Sequence, residues 1–142
     1  MTASTSAPPD DLCIADLMTI DPITVRGDAR TEVAEDLMRS YHVTGLPVVD
    51  EHGSLIGVIS QTDLLHLAAP VVMALIRHHA SRIRVGEVMS VPPVTIEASA
   101  PLRDAAIRMN RDRLHRLVAV DDHGRPIGII SAMDFVALAA DA

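Results

Sequence analysis

Between Thr31 and Tyr41 the residues Val33, Ala34, Leu37, Met38 and Tyr41 recur at the spacing of one helical face. Leu102, Ala105, Ala106 and Met109 repeat that spacing further along the chain. After each helix the period changes. In "LPVVDEHGSLIGVIS", Leu46 to Ser60, two apolar runs flank a polar turn containing Gly53, and "LVAVDDHGRPIGIIS", Leu117 to Ser131, does the same around Gly124. This pattern predicts two hairpins, each with a glycine supplying the left-handed residue of a loop longer than two residues. The β-branched runs "PITV" and "PVTI" predict short strands beginning at a proline, which a first strand position tolerates. A second helix is expected from about Thr62 and from about Met133.

These two sets of elements are copies of one another. Pairing Met18 with Met89, 71 positions apart, holds without a gap from Ile14/Val85 to Leu65/Val136. Along that register Pro22 meets Pro93, Gly57 meets Gly128 and Asp63 meets Asp134. Two copies are too few for a solenoid, so a pseudo-twofold pair sharing a core is expected. The fold class is therefore α+β: two gaplessly repeated β-α-β-β-α units. The boundaries read as a disordered tail over 1–11, a first repeat over 12–69, a linker helix over 70–84 and a second repeat over 85–142. Pro70 ends the first repeat's last helix and opens the linker helix at its first turn.

Composition narrows the function. About half the chain is apolar, yet Trp is absent and Phe and Tyr occur once each, so the core must be Val, Ile, Leu, Ala and Met. The net charge is −7 and every basic residue is Arg, a poor match to nucleic acid or an anionic membrane. The imbalance is concentrated before Leu67, which makes the second repeat the easier host for an anion. Cys13 stands alone, so no internal disulfide forms and a reducing compartment is the default. The first residues lack the basic and apolar regions of a signal peptide, and the longest apolar stretch, Leu64 to Ile76, contains His66 and Pro70 and is too short to span a bilayer. A cytoplasmic protein is expected.

Candidate chemistry is sparse. The histidines show no metal-ligand spacing with an acid or Cys, so no metal site is expected. No nucleophile has a positioned base, so no enzyme is expected. What recurs is Ser-x-x-Asp at a strand-to-helix junction, "SQTD" at Ser60–Asp63 and "SAMD" at Ser131–Asp134. It reads either as a capping box or as a ligand grip, in which the ionised acid accepts from both ribose hydroxyls while serine and the helix start face a phosphate.

The paired unit "DLM…PITV…GLPVVDEHGSLIGVISQTD" resembles a tandem CBS-domain pair, the Bateman module, from Ile14 to Ala140. That resemblance implies two repeats packed sheet to sheet, clefts that take adenosine-containing ligands such as AMP, ADP or ATP, and a homodimer. It implies ribose and phosphate contacts by Asp134 and Ser131, with Met133 beside them, and by Asp63, Ser60 and Thr62 in the first repeat. "LHRLVAVDD" is similar to a repeat of the AMP-activated protein kinase gamma subunit, which implies phosphate contacts by His115 and Arg116. The aligned Thr44 and Gly45 carry no charge. Ile20, Ile23, Val91, Pro93 and Val94 are expected to line the adenine, or else to be core residues. The expected function is a stand-alone regulatory module that binds an adenine nucleotide as a regulatory ligand, without an obligatory cofactor, and signals to an effector protein. The alternatives are a ligand-free dimerising scaffold and a sensor of S-adenosylmethionine or NAD.

Overall fold

The computed structural model describes residues 12–67 and 83–140. The expected tail over 1–11 and most of the expected linker helix over 70–84 lie outside the described residues. In chain order the elements are α1 (Ile14–Leu17), β1 (Thr19–Ile20), β2 (Val25–Arg26), α2 (Thr31–Tyr41), β3 (Gly45–Val49), β4 (Leu55–Ser60) and α3 (Gln61–Leu67). Then come α4 (Val85–Val88), β5 (Thr95–Glu97), α5 (Leu102–Asp112), β6 (Arg116–Val120), β7 (Pro126–Ser131) and α6 (Ala132–Ala140).

The mixed α+β repeat is present twice. It differs from expectation at its leading end. The strands after Pro22 and Pro93 start only at Val25 and Thr95, and a single helical turn precedes them, α1 or α4. Those turns are too short to show a period. They are held by local acids: Asp16 accepts the Cys13 N–H at 2.9 Å and Glu87 accepts the Arg84 N–H at 2.8 Å.

The compact units cross the repeats. Residues 12–22 join 94–140 in one, hereafter the Asp134 unit, and 23–67 join 83–93 in the other, the Asp63 unit. In the Asp134 unit the sheet order is β1-β7-β6-β5, with β1 antiparallel to β7 and β5 parallel to β6. In the Asp63 unit it is β2-β3-β4, and a Val58–Ser90 bridge stands where β1 would pair.

Each core has the same recipe. Leu102, Ala105 and Met109 on α5 pack with Leu117 and Ile130 of the hairpin, and the fully buried Ile14 of α1 completes the cluster. In the Asp63 unit Ala34 and Met38 meet Leu46, Val48 and Ile59, and Val85 of α4 takes the role of Ile14. Burying one such aliphatic side chain stabilises by about 1.5–3 kcal/mol. Both one-turn helices are thus part of a core.

The hairpin turns follow the expected chemistry. Gly53 and Gly124 have φ of 84° and 78°. Asp50 Oδ1 accepts the N–H groups of His52 and Ser54, and Asp121 Oδ1 those of His123 and Arg125. These backbone bonds, from Ser54 and Arg125 first, hold both carboxyls below their ordinary pKa of 3.8. A depressed folded-state pKa adds stability that is complete above the unfolded value and fades as pH falls through the folded one. The variant Asp50→Asn/Asp121→Asn should therefore melt lower than the parent at pH 7, and the gap should close below about pH 4 in a pH series of thermal melts. A gap that stays constant with pH would exclude the turn carboxylates as its source.

Candidate ligand site

Both Ser-x-x-Asp motifs sit where a hairpin strand ends and a helix begins. Ser131 closes β7 and Asp134 lies in the first turn of α6. Asp134 Oδ2 accepts the Ser131 N–H at 2.7 Å and the Ser131 hydroxyl at 3.2 Å. The acid reaches back to the residue before the helix, half of the capping-box arrangement. Asp63 does the same with Ser60, at 2.8 and 3.1 Å, and the Ser60 Oγ in turn accepts the Asp63 N–H at 3.2 Å. Capping and ligand binding are compatible here, because each cap occupies one carboxylate oxygen. Among the described residues, Asp134 Oδ1 accepts no hydrogen bond.

In the Asp134 unit β7, which ends at Ser131, is flanked by β6 on one side and β1 on the other. Arg116 opens β6 directly across from Ser131 in the antiparallel register, and the Ala132 N–H donates to the His115 carbonyl at 2.9 Å. This bond ties the His115–Arg116 pair to the start of α6. On the far side of β7 lies β1, with Thr19 opposite Ile129 and Ile20 opposite Gly128. The chain leaves β1 through Asp21, φ 52°, whose N–H donates to the Ile127 carbonyl. Ile20 and Met133 are 65% and 69% exposed, enough to offer apolar surface to a ligand.

Gly128 fixes the height of β1. A Cβ there would overlap the Met18 side chain, whose thioether lies against the glycine, and Gly57 stands in the same relation to Met89. The close approach lets the Met18 side chain pack over β7 beside the β1 pairing.

The Asp63 unit assembles the matching positions with different chemistry. Gly45 is paired with Ser60, and the Gln61 N–H donates to the Thr44 carbonyl at 2.8 Å. Thr62 lies exposed on α3 and Val91, 62% exposed, follows Ser90. Among the described residues of this unit, the positions matching His115 and Arg116 carry no charge. Ser90 was not anticipated from the sequence: its hydroxyl lies 3.2 Å from Asp63 Oδ1 and 3.4 Å from Oδ2. Its alignment with Thr19 was the available signal.

The two leading segments therefore serve opposite repeats. Ile20 joins Asp134, and Val91 and Pro93 belong to the unit of Asp63. Ile23 and Val94 pack against the cores, the alternative their sequence allowed.

A separate groove of about 630 Å³ lies at the other end of β5 and β6. Its walls carry Glu97, Asp104, Asp121 and Asp122 against one arginine, Arg108, whose guanidinium donates to the Thr95 carbonyl at 2.9 Å. That charge is wrong for a phosphate, and none of the expected ligand residues lines it. Among the described residues no His/Cys/Asp/Glu cluster could hold a metal ion, and no helix is long and apolar enough to cross a membrane.

Comparison with known proteins bears on the fold and the family. The chain is 33% identical over 121 residues to inosine-5′-monophosphate dehydrogenase of Mycobacterium leprae (strain TN), covering 84% of this chain and 21% of that enzyme. It is 26% identical over 121 residues to L-aspartate semialdehyde sulfurtransferase of Methanocaldococcus jannaschii, covering 85% of this chain and 22% of the relative. The chain thus spans about a fifth of the length of these curated relatives. Among solved structures, CBSX2 in complex with AMP superposes with a TM-score of 0.77 at 32% identity, covering 91% of this chain and 96% of that one; CBSX2 is a CBS-pair protein from Arabidopsis thaliana. The CBS-domain pair of protein MJ0100, in complex with 5′-methylthioadenosine and S-adenosyl-L-methionine, superposes at 0.80 with 25% identity over 92% of this chain and 97% of that one. The CBS-domain family model matches twice, at residues 14–70 and 85–141, the two copies seen in the sequence. The chain belongs to the CBS-domain family, as a tandem pair.

Proposed function

We propose that this chain is a regulatory module, not an enzyme, that binds an adenosine-containing ligand, with AMP preferred, at the Asp134 site. The observation that carries this reading is the register of β6 on β7, which sets Arg116 opposite Ser131 at the start of a helix whose Asp134 keeps one oxygen open among the described residues. A carboxylate offers only acceptors and suits the two hydroxyls of a ribose. A guanidinium offers a planar fork suited to phosphate oxygens, and His115 adds a second donor. Adenosine-type ligands in CBSX2 and the MJ0100 pair support the same class.

Binding at Asp134 would tie a segment of the first repeat, Thr19 to Asp21, to the end of the second. The signal to an effector protein would come from the difference in ligand affinity between the states that effector distinguishes.

The test is a calorimetric titration with adenosine, AMP, ADP, ATP, NAD and S-adenosylmethionine. AMP should bind more tightly than adenosine, and Arg116→Ala should remove that preference while leaving adenosine binding in place. A cationic sulfonium gains nothing from Arg116, so S-adenosylmethionine affinity unchanged or raised in Arg116→Ala, with AMP silent, would reassign the ligand. Silence toward all six would leave the scaffold reading.

A further inference from the structure

The two Ser-x-x-Asp sites differ in one further respect that residue identity alone does not suggest. Among the described residues Asp134 has an open oxygen, whereas Asp63 has both oxygens engaged: Oδ2 by Ser60 and Oδ1 by the hydroxyl of Ser90, which also lies within reach of Oδ2. The counterpart of Ser90 in the Asp134 unit is Thr19, whose hydroxyl makes no hydrogen bond to Asp134 among the described residues. Ser90 is exposed, and its position does not depend on its side chain. Its N–H donates to the Val58 carbonyl at 2.8 Å and its carbonyl accepts the Val58 N–H at 3.2 Å.

We propose that the Ser90 hydroxyl is a built-in competitor for the Asp63 carboxylate, and that it sets the affinity of the Asp63 site for a ribose below that of the Asp134 site. This rests on the reading of Ser-x-x-Asp as a ribose grip. A vicinal diol needs two acceptor positions on the carboxylate. At Asp134 one oxygen is ready. At Asp63 a hydroxyl of the same chemical kind already donates there, so a ribose must displace it and recovers only the difference between two similar bonds. At the positions of His115 and Arg116 the Asp63 unit has Thr44 and Gly45, which offer no charge to offset this loss. The chain therefore has one strong and one weak site, with Ser90 as the residue that grades the weak one.

The experiment removes the strong site with Asp134→Ala and titrates adenosine and 2′,3′-dideoxyadenosine by calorimetry, with and without Ser90→Ala. Because both main-chain bonds of Ser90 to Val58 survive the change, the variant should melt within a few degrees of its parent. Adenosine should bind about tenfold more tightly once Ser90 is alanine, and 2′,3′-dideoxyadenosine, which has no diol, should gain nothing. Binding that appears only after Ser90→Ala would also support the proposal. An unchanged or weakened adenosine affinity, or an equal gain for the dideoxy compound, would overturn it while leaving the ribose-grip reading intact. No adenosine binding by the parent chain or any variant would overturn both.

Discussion

Asp134→Ala is expected to weaken AMP binding at its site by about a hundredfold. Hydrogen bonds to a charged group contribute about 1.5–3 kcal/mol each, and two to a ribose diol, partly exposed, give about 2.7 kcal/mol, or two decades in Kd. The same substitution removes the acceptor of the Ser131 N–H at 2.7 Å, so the ligand-free chain should also lose about 0.5–2 kcal/mol as a helix cap disappears. Asp134→Asn separates the two effects. Its amide oxygen can still accept the Ser131 N–H, while the full charge facing the ribose is gone, so melting should recover more than affinity does. Calorimetry with AMP alongside ligand-free melting reads both. A loss smaller than threefold in Asp134→Ala would mean that the carboxylate is a cap and nothing more.

A clear effect on folding should come from Gly128→Val. Even the first carbon of a side chain at this position overlaps the thioether of Met18, so Met18 must leave its place. Met18 connects α1, which buries Ile14 in the core, to β1, which pairs with β7 at Gly128 itself. Overpacking of this kind costs about 1–3 kcal/mol, so a fall in melting temperature of about 5–10 °C is expected, on the order of what such a loss produces in a small domain. Met18→Ala in the same chain removes the obstructing atoms and should restore part of the stability. Failure of that rescue would place the strain elsewhere on β7. Ligand binding should fall with Gly128→Val beyond what stability accounts for, since Thr19 and Ile20 ride on the same segment.

Much of this was legible in the sequence, for physical reasons that differ by element. The long helices α2 and α5 were visible because Ala34/Met38 and Ala105/Met109 stand on a full helical face. The hairpins were visible because only glycine takes a left-handed turn freely, and Gly53 and Gly124 do so. The Ser-x-x-Asp junctions and the basic pair were visible as residue types at fixed spacing. What did not show was which leading segment belongs to which hairpin. "TIDP" and "SVPP" are near copies, so each would fit either hairpin by pattern, and the choice is made by connection through α1 and α4. Those turns are four residues long and carry no readable period. The Ser90–Asp63 contact was hidden for the same reason, because it joins residues that only this exchange of segments makes neighbours.

That exchange has a consequence for how the chain can be divided. A cut anywhere between residues 67 and 83 separates the two repeats cleanly in sequence, yet leaves each fragment without the buried anchor of its own core. The first fragment would keep Ala34, Met38 and Ile59 but lose Val85, and the second would keep Leu102, Met109 and Ile130 but lose Ile14. Each fragment should therefore be markedly less stable alone than in the intact chain. Each carries the plug for the other, so the two are obligate complements: split, they should recover structure only on mixing. The repeat visible in the sequence and the unit that folds are thus two different divisions of the chain.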